Sequence, residues 1–292
     1  MSIYNKLSII VLSCFFISSC VSDDKNTSSN SEFKDSVELK KDSVLAEPLE
    51  KIGLPEKLDY LITNMTISDN MIQTLSSDPS IFNYDLLNSH EHIQYYTTSR
   101  SKAINLGVYG ADLNYLIHFE QSENSIKYLI ASRQLAGQIG VAMAFDQETI
   151  EQYESSIEDK DALISIIFMA YDNVKKMLKS EDQFLLSTLV ITGSWVENMY
   201  LTTQLLPYFE SSKIKTSLVQ KIIQQKEYLN KMISLISELQ EGDNIYINNL
   251  LKDLREIDAI YQSFEEDLLT EQDIETLGNK ITQLRTRLIK VE

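Results

Sequence analysis

Two glycine-centred segments hold the residues whose types and spacing best suit chemistry. Each contains a glycine, an aromatic residue two positions later, and an acid or amide three positions after that. The members are Gly107, Tyr109 and Asp112 in the first segment, and Gly193, Trp195, Glu197 and Asn198 in the second. On a helix, residues three apart share a face, so each aromatic ring is expected beside the polar group that follows it. A carboxyl group buried at such a place has a raised pKa and can act as an acid or a base.

The two glycines predict that their helices cross. Glycine costs about 1 kcal/mol relative to alanine inside a helix, and it is tolerated where another helix must approach closely. We therefore expect helices 99–120 and 182–207 to meet at Gly107 and Gly193 and to bring Asp112 near Glu197. Two interpretations follow: a small-ligand pocket between the helices, or a structural network in which tyrosine hydroxyls or a lysine or arginine hold Asp112. The second is favoured, because structural networks also perturb pKa values.

A second constellation is the histidine pair His90 and His92. On an extended segment the two rings share a face and could hold a metal ion together with Glu91. The metalloprotease motif needs a further histidine at position 94, where the chain has Gln94. With no third ligand in view, we predict a solvated loop and no metal site. His118, on helix 99–120, is interpreted as a core histidine.

Other catalytic chemistries lack their motifs. The chain has no Gly-x-Ser-x-Gly elbow and no glycine-rich phosphate loop. Its two cysteines, Cys14 and Cys20, both precede the predicted domain, which leaves that domain without a thiol nucleophile, a thiolate metal ligand or a disulfide. No catalytic residue and no cofactor is predicted. A carboxylate-dependent hydrolase stays open, although no pair of acids stands out.

The net charge of the chain argues against two classes of binding partner. The chain has 26 lysines and arginines against 43 aspartates and glutamates, and its formal net charge is −17 at pH 7. Neutralising phosphates needs clustered lysine and arginine, so we expect no nucleic-acid partner. The same balance argues against electrostatic adhesion to anionic lipid.

Helical periodicity dominates from Pro55 onward. Only 8 glycines and 4 prolines occur, and both residues disfavour helix interiors. The pattern predicts helices over 99–120, 123–139, 147–157, 160–179, 182–207, 212–240, 244–268 and 271–291, with residues 77–98 the least regular part. In the last three helices apolar residues alternate three and four apart, as in Ile274, Leu277, Ile281, Leu284 and Leu288. We predict an all-α fold, a multi-helix antiparallel bundle or helical array in which the last three or four long helices form a heptad-patterned bundle, with the apolar helix 99–120 at its centre.

The N-terminal residues have the layout of a secretory signal. Lys6 precedes an apolar run from Leu7 to Ile17, which is too short to span a bilayer. The run closes with Ile17, Ser18, Ser19 and Cys20, which resemble the lipobox of bacterial lipoproteins. The resemblance implies removal of residues 1–19, acylation of Cys20 (with palmitate or a similar chain) and attachment to a lipid bilayer.

A flexible acidic tether is predicted over residues 20–50, between the lipid and a helical globular domain over 51–292. Its composition is too polar to bury enough surface to fold. Val21 follows the cysteine, whereas aspartate there retains lipoproteins at the inner membrane of enteric bacteria. We therefore expect the outer membrane, on either the periplasmic face or the cell surface.

The glycine-centred segments also resemble part of a known group. The residues are Leu106-Gly107-Val108-Tyr109-Gly110-Ala111-Asp112-Leu113 and Gly193-Ser194-Trp195-Val196-Glu197. Together with the helix start at Asp161 they resemble an uncharacterised group of Bacteroidota lipoproteins, over roughly residues 55–290. The resemblance implies no activity and transfers no catalytic residue.

Three functions are consistent with these patterns. The first is a non-enzymatic interaction or accessory lipoprotein of the cell envelope, with another envelope protein as its partner. The second is a small-molecule-binding domain whose pocket lies between helices 99–120 and 182–207. The third is the hydrolase.

Overall fold

The computed structural model describes residues 53–64, 66–180, 183–209, 213–240, 242–264 and 269–290, without the side chains of 66–69. All of them belong to one compact unit, Glu47–Glu292. The predicted signal peptide, Cys20 and the predicted tether lie outside the described residues.

The described residues form helices and no strands, which confirms the all-α prediction. Their α-helices are α1 (Leu54–Asn64), α2 (Thr66–Leu75), α3 (Ser99–His118), α4 (Ser122–Gln138), α5 (Gln147–Ser155), α6 (Lys160–Ser180), α7 (Phe184–Leu205), α8 (Lys213–Leu239), α9 (Ile245–Gln262) and α10 (Glu271–Leu288). None of these helices is long and apolar enough to cross a membrane.

Helices α3 and α7 form the centre of the domain and share its largest interface. Both are buried along nearly their whole length, as expected for helices that are apolar on every side. The sequence pattern predicted only α3 at the centre and indicated that α7 extends the terminal bundle. In the structure α7 has both roles, because it also packs against α8 and α10.

The remaining helices surround this pair. Helix α4 packs on α3, while α1 and α2 pack against α7 and α8. Contacts between α7 and α8, α8 and α9, α9 and α10, and α10 and α7 close a ring of four helices. This ring is the bundle that the heptad spacing predicted.

One predicted helix end was wrong. The pattern predicted a helix over 244–268, but α9 ends at Gln262, and Ser263 is its C-cap residue. The Ser263 hydroxyl donates to the Ile260 carbonyl oxygen at 2.7 Å. A serine that satisfies a terminal carbonyl in this way competes with further helical hydrogen bonds.

Residues 78–98 form a capped segment of three short 3-10 helices: Pro79–Ile81, Tyr84–Leu86 and His90–Tyr95. The side chains of Asp78, Asn83 and Ser89 cap their respective N-termini. Such caps offer the backbone an alternative to a continuous helix, which explains the weak periodicity here. The segment lies against α3, where the Asn83 amide donates to the Tyr115 hydroxyl at 2.9 Å.

Candidate functional site

The central helices cross at the two glycines with their backbones in contact. A Cβ atom at Gly107 would lie 1.9 Å from the carbonyl oxygen of Val190, and one at Gly193 would lie 1.8 Å from that of Ile104. Real side chains do not fit at such distances. The crossing therefore depends on glycine on both helices and leaves no space for a ligand at these positions.

Beside the crossing lies a buried charge cluster, which consists of Asp112, Glu197 and Arg285. The two carboxyl side chains are fully buried and Arg285 is 7% exposed. Arg285 donates from Nε to Glu197 Oε2 at 2.8 Å and from Nη2 to Oε1 at 2.7 Å. This bidentate pairing is the strong form of an arginine–carboxylate interaction, and it joins α10 to α7.

Two further contacts hold the guanidinium group of Arg285. Its Nη2 donates to the Leu86 carbonyl oxygen at 2.7 Å, and its Cζ lies 4.1 Å from the ring centroid of Tyr200. Burial alone would lower the pKa of Arg285, but the Glu197 carboxylate outweighs burial and raises the pKa above its ordinary value. The arginine is thus permanently charged and fixed in place.

Asp112 is the member of the charge cluster that lies on α3. Its Oδ2 accepts from the backbone N–H of Asn88 at 3.1 Å, which ties the capped segment to α3. Burial, and then the nearby Glu197 carboxylate, raise the pKa of Asp112 well above its usual value, while Arg285 opposes the change. One guanidinium balances the charge of only one of two buried carboxyl groups, so protonation of Asp112 would leave the cluster with no net charge.

Tyr109 of α3 forms a second hydrogen bond to the capped segment. Its hydroxyl donates to the Ser89 carbonyl oxygen at 2.8 Å, and burial raises its pKa above the ordinary value. Beside it, the side-chain amide of Asn88 donates to the Tyr96 hydroxyl at 2.9 Å. These bonds lie inside the packed domain and hold backbone and side chains of the protein itself.

Trp195 and Asn198, the other two candidates of the second segment, form hydrogen bonds outside the charge cluster. Trp195 is fully buried, and its Nε1 donates to Gln225 Oε1 of α8 at 3.0 Å. A separation of two residues places Trp195 and Glu197 on different faces of α7. Asn198 is also fully buried, and its backbone carbonyl accepts from the Thr202 hydroxyl at 2.7 Å.

Sequence reasoning did not single out Arg285 or Asn88. A signal for Arg285 was present, because it follows Ile281 by four positions and precedes Leu288 by three. Those spacings put a cation on the apolar face of α10, where a buried partner is needed. No comparable signal pointed to Asn88, whose contact with Asp112 is made by the backbone.

The two histidines occupy a 3-10 helix rather than an extended segment. The Nδ1 atom of His92 lies 3.0 Å from Asn88 Oδ1, and the ring of His90 lies 5.7 Å from that of Tyr128. Within the described residues, no group of three or more His, Cys, Asp or Glu side chains is placed to hold a metal ion.

One opening is a cleft between α3 and α6, called here the α3–α6 cleft, with a volume of about 350 Å³. Its walls include Asn114 and His118 of α3, Phe168, Tyr171 and Lys175 of α6, and Ser194 of α7. None of the seven residues predicted at the crossing lines it. The available space lies beside the crossing rather than within it.

Comparison of the chain with protein-family models, with curated proteins and with solved structures finds no match. The functional argument therefore rests on the residues and their geometry.

Proposed function

We propose that this chain is a lipid-anchored protein of the bacterial outer membrane whose helical domain is a non-enzymatic interaction or accessory module. The proposal of a non-enzymatic role rests on one observation: the carboxyl groups of the charge cluster are buried and bound by other groups of the protein. Glu197 is engaged by Arg285 and Asp112 by the Asn88 amide, and both carboxyl groups are fully buried. A catalytic acid or base must come within hydrogen-bond reach of its substrate, which this packing does not offer.

The bonds of the cluster support a structural role instead. They connect α3, α7 and α10 with the capped segment through side chains that are distant in sequence. Charged groups buried in this way define how elements pack. A rigid domain of that kind suits a protein that presents a surface to a partner.

The anchor is supported by the sequence alone. Lys6, the apolar run and the residues around Cys20 resemble a lipoprotein signal, and the acidic balance leaves the acyl chains as the means of attachment. Two or three chains hold a protein at a bilayer far more firmly than one.

Mass spectrometry of the protein purified from bacterial membranes tests the anchor. We expect residues 1–19 to be absent and Cys20 to carry acyl groups. Cys20→Ser should abolish acylation and leave residues 1–19 uncleaved. Cys14→Ser is the matched control, because Cys14 lies within the predicted leader, and it should be processed normally. An intact leader or an unmodified Cys20 would contradict the anchor.

Cross-linking in intact cells tests the accessory role. The acylated protein should be captured with a defined envelope protein, and the reciprocal capture from that partner should recover this chain. The Cys20→Ser protein, which lacks the acyl anchor, should not be captured with this partner. Recovery of no partner above background from wild-type membranes would contradict the proposal.

A further inference from the structure

We propose that the α3–α6 cleft binds a neutral saccharide, a ligand whose hydroxyl groups surround apolar C–H faces. This site goes beyond the proposed function, since it requires neither the anchor nor a protein partner. It also lies apart from the charge cluster, whose residues do not line it.

Uncharged hydrogen-bonding side chains line the cleft on three of its helices. Asn70 and Gln73 belong to α2, Asn114 to α3 and Ser194 to α7. Amide and hydroxyl groups both donate and accept hydrogen bonds, as the hydroxyl groups of a saccharide do. Because these groups are spread round the wall, they suit a ligand with polar groups all round its rim better than one with a single polar head.

Two buried nitrogen atoms of wall residues lack a hydrogen-bond partner among the described residues. They are Nδ2 of Asn114 and Nδ1 of His118, which lie four positions apart and so share a face of α3. Burial, and then the charge of Lys160, lower the pKa of His118 to about 4, so its ring is neutral at pH 7. A buried polar group without a partner is costly, and a ligand hydroxyl group would supply one directly or through a bound water molecule.

Phe168 of α6 supplies an aromatic ring to the same cleft. It is 49% exposed, and the face of an aromatic ring carries partial negative charge. The slightly positive C–H groups of a saccharide pack favourably on such a face. Ile164 lines the cleft one helical turn before Phe168 and extends the apolar surface. A saccharide stacked there would remove this surface from water.

The middle of the cleft is preformed by Tyr171. Its ring packs so closely on Gly110 that a Cβ atom there would lie 2.6 Å from ring carbons. The Tyr171 hydroxyl donates to the Leu106 carbonyl oxygen at 3.1 Å and lies 2.8 Å from the Ser132 hydroxyl. A ring held on both its face and its hydroxyl keeps its position, so a ligand would meet a rigid wall.

The charges along the cleft favour an uncharged ligand. Asp161 is an exposed carboxylate at one end of the α6 wall, and the net charge of −17 also disfavours anions. Lys175, at the other end, is only 2% exposed and already interacts within the chain, so its charge has no assigned role in binding. The ligand is therefore held by hydrogen bonds and by contact with the aromatic ring.

A glycan array tests the site, with the full chain in a detergent that has no sugar headgroup. Its probes are neutral oligosaccharides, among them maltotriose, cellotriose and lactose, beside sialylated and sulfated glycans. Neutral glycans should bind, and the strongest should give a saturable isotherm in titration calorimetry. Its sialylated or sulfated form should bind at least tenfold more weakly. Binding of no neutral glycan, or equal binding of neutral and charged forms, would overturn the proposal.

Variants at exposed positions locate the binding. Phe168→Ala should reduce the affinity for that neutral glycan at least tenfold, and Phe168→Trp should retain it because the aromatic face remains. Met169→Ala is the matched control, since Met169 follows Phe168 on α6 and is 54% exposed but does not line the cleft, and its affinity should equal that of wild type. If Phe168→Ala fails to fold, Gln73→Ala should weaken binding by loss of its amide. Unchanged affinity in the cleft variant, or an equal loss in Met169→Ala, would refute the site.

Discussion

At the scale of single residues, the two buried carboxyl groups Asp112 and Glu197 differ in the hydrogen bonds that they accept. Glu197 receives two charge-assisted bonds from Arg285, whereas Asp112 receives only a backbone N–H from Asn88. The anion of Asp112 is thus stabilised by fewer hydrogen bonds than that of Glu197. The two acids should therefore respond differently when each is replaced by its uncharged amide.

We expect Asp112→Asn to preserve the fold and Glu197→Gln to destabilise it. The asparagine can accept from the Asn88 amide and donate to Glu197, which reproduces the neutral acid. The glutamine leaves Arg285 buried without a counter-ion, a change that costs about 3–5 kcal/mol. Urea unfolding at pH 7 measures both free energies of unfolding, and equal losses for the two variants would contradict the assignment.

The pH dependence of the free energy of unfolding tests the raised pKa of Asp112 independently. The pKa of Asp112 is raised on folding, so the folded state retains a proton that the unfolded chain releases above its ordinary pKa. Asp112 therefore lowers stability progressively as the pH rises above about 4. The free energy of unfolding of Asp112→Asn relative to wild type should increase between pH 4 and pH 7. A constant difference would show that Asp112 is ionised in the folded protein.

At the scale of elements, the glycine crossing fixes the distance between α3 and α7. We expect Gly107→Ala to destabilise the domain by about 1–3 kcal/mol or more, because the new methyl group would overlap the Val190 carbonyl oxygen and push the helices apart. Gly137→Ala in α4 is the matched control. Its added Cβ meets nothing closer than 3.9 Å, so the better helix propensity of alanine should stabilise it by up to about 1 kcal/mol. Thermal and urea unfolding compare the two, and a neutral Gly107→Ala would mean that the helices can separate freely.

The elements were largely predictable from sequence because helical periodicity is a local property. Helices α8, α9 and α10 follow directly from apolar residues three and four apart, and the all-α fold follows from them. The pair Gly107 and Gly193 indicated a close approach, because a helical glycine needs a packing reason. The pairing of Glu197 with Arg285, 88 residues away, was not accessible, since a counter-ion's identity depends on which helices the fold brings together.

The capped segment and the cleft were unpredictable for a related reason. Asn88 contacts Asp112 through its backbone N–H, and no residue type marks such a bond. The cleft arises from the spacing of α3 and α6 beside α7, a tertiary distance that no local pattern encodes. The sequence therefore predicted the crossing and favoured a structural network there, and its alternative, a pocket between the two helices, finds no space at the glycines.

At the scale of the whole molecule, His118 contributes a pH dependence opposite in sign to that of Asp112. Burial, and then the charge of Lys160, lower the pKa of His118 from 6.5 to about 4. Between those values the unfolded chain binds a proton that the folded domain does not, so stability falls as the pH drops from about 6.5 towards 4. The full effect of such a shift is about 3 kcal/mol at most.

We expect His118→Leu to flatten this part of the stability profile. Unfolding free energies of wild type and variant, measured in urea from pH 7 to pH 4, should converge or cross as the wild type loses its histidine contribution. Parallel profiles would indicate that His118 titrates normally in the folded domain. A proton NMR titration of the His118 ring in the wild type gives the same answer independently.

The contacts of Arg285 also have a consequence for the order in which the domain can be completed. Arg285 reaches Leu86, 199 positions earlier in the chain, and Asn105 of α3 donates to the Leu288 carbonyl oxygen at 2.9 Å. During synthesis or export, Glu197 on α7 therefore lacks its arginine partner until α10 has emerged and packed. A protease or chaperone that acts on the incomplete chain would thus meet the surfaces of α7 and α9 that α10 later covers.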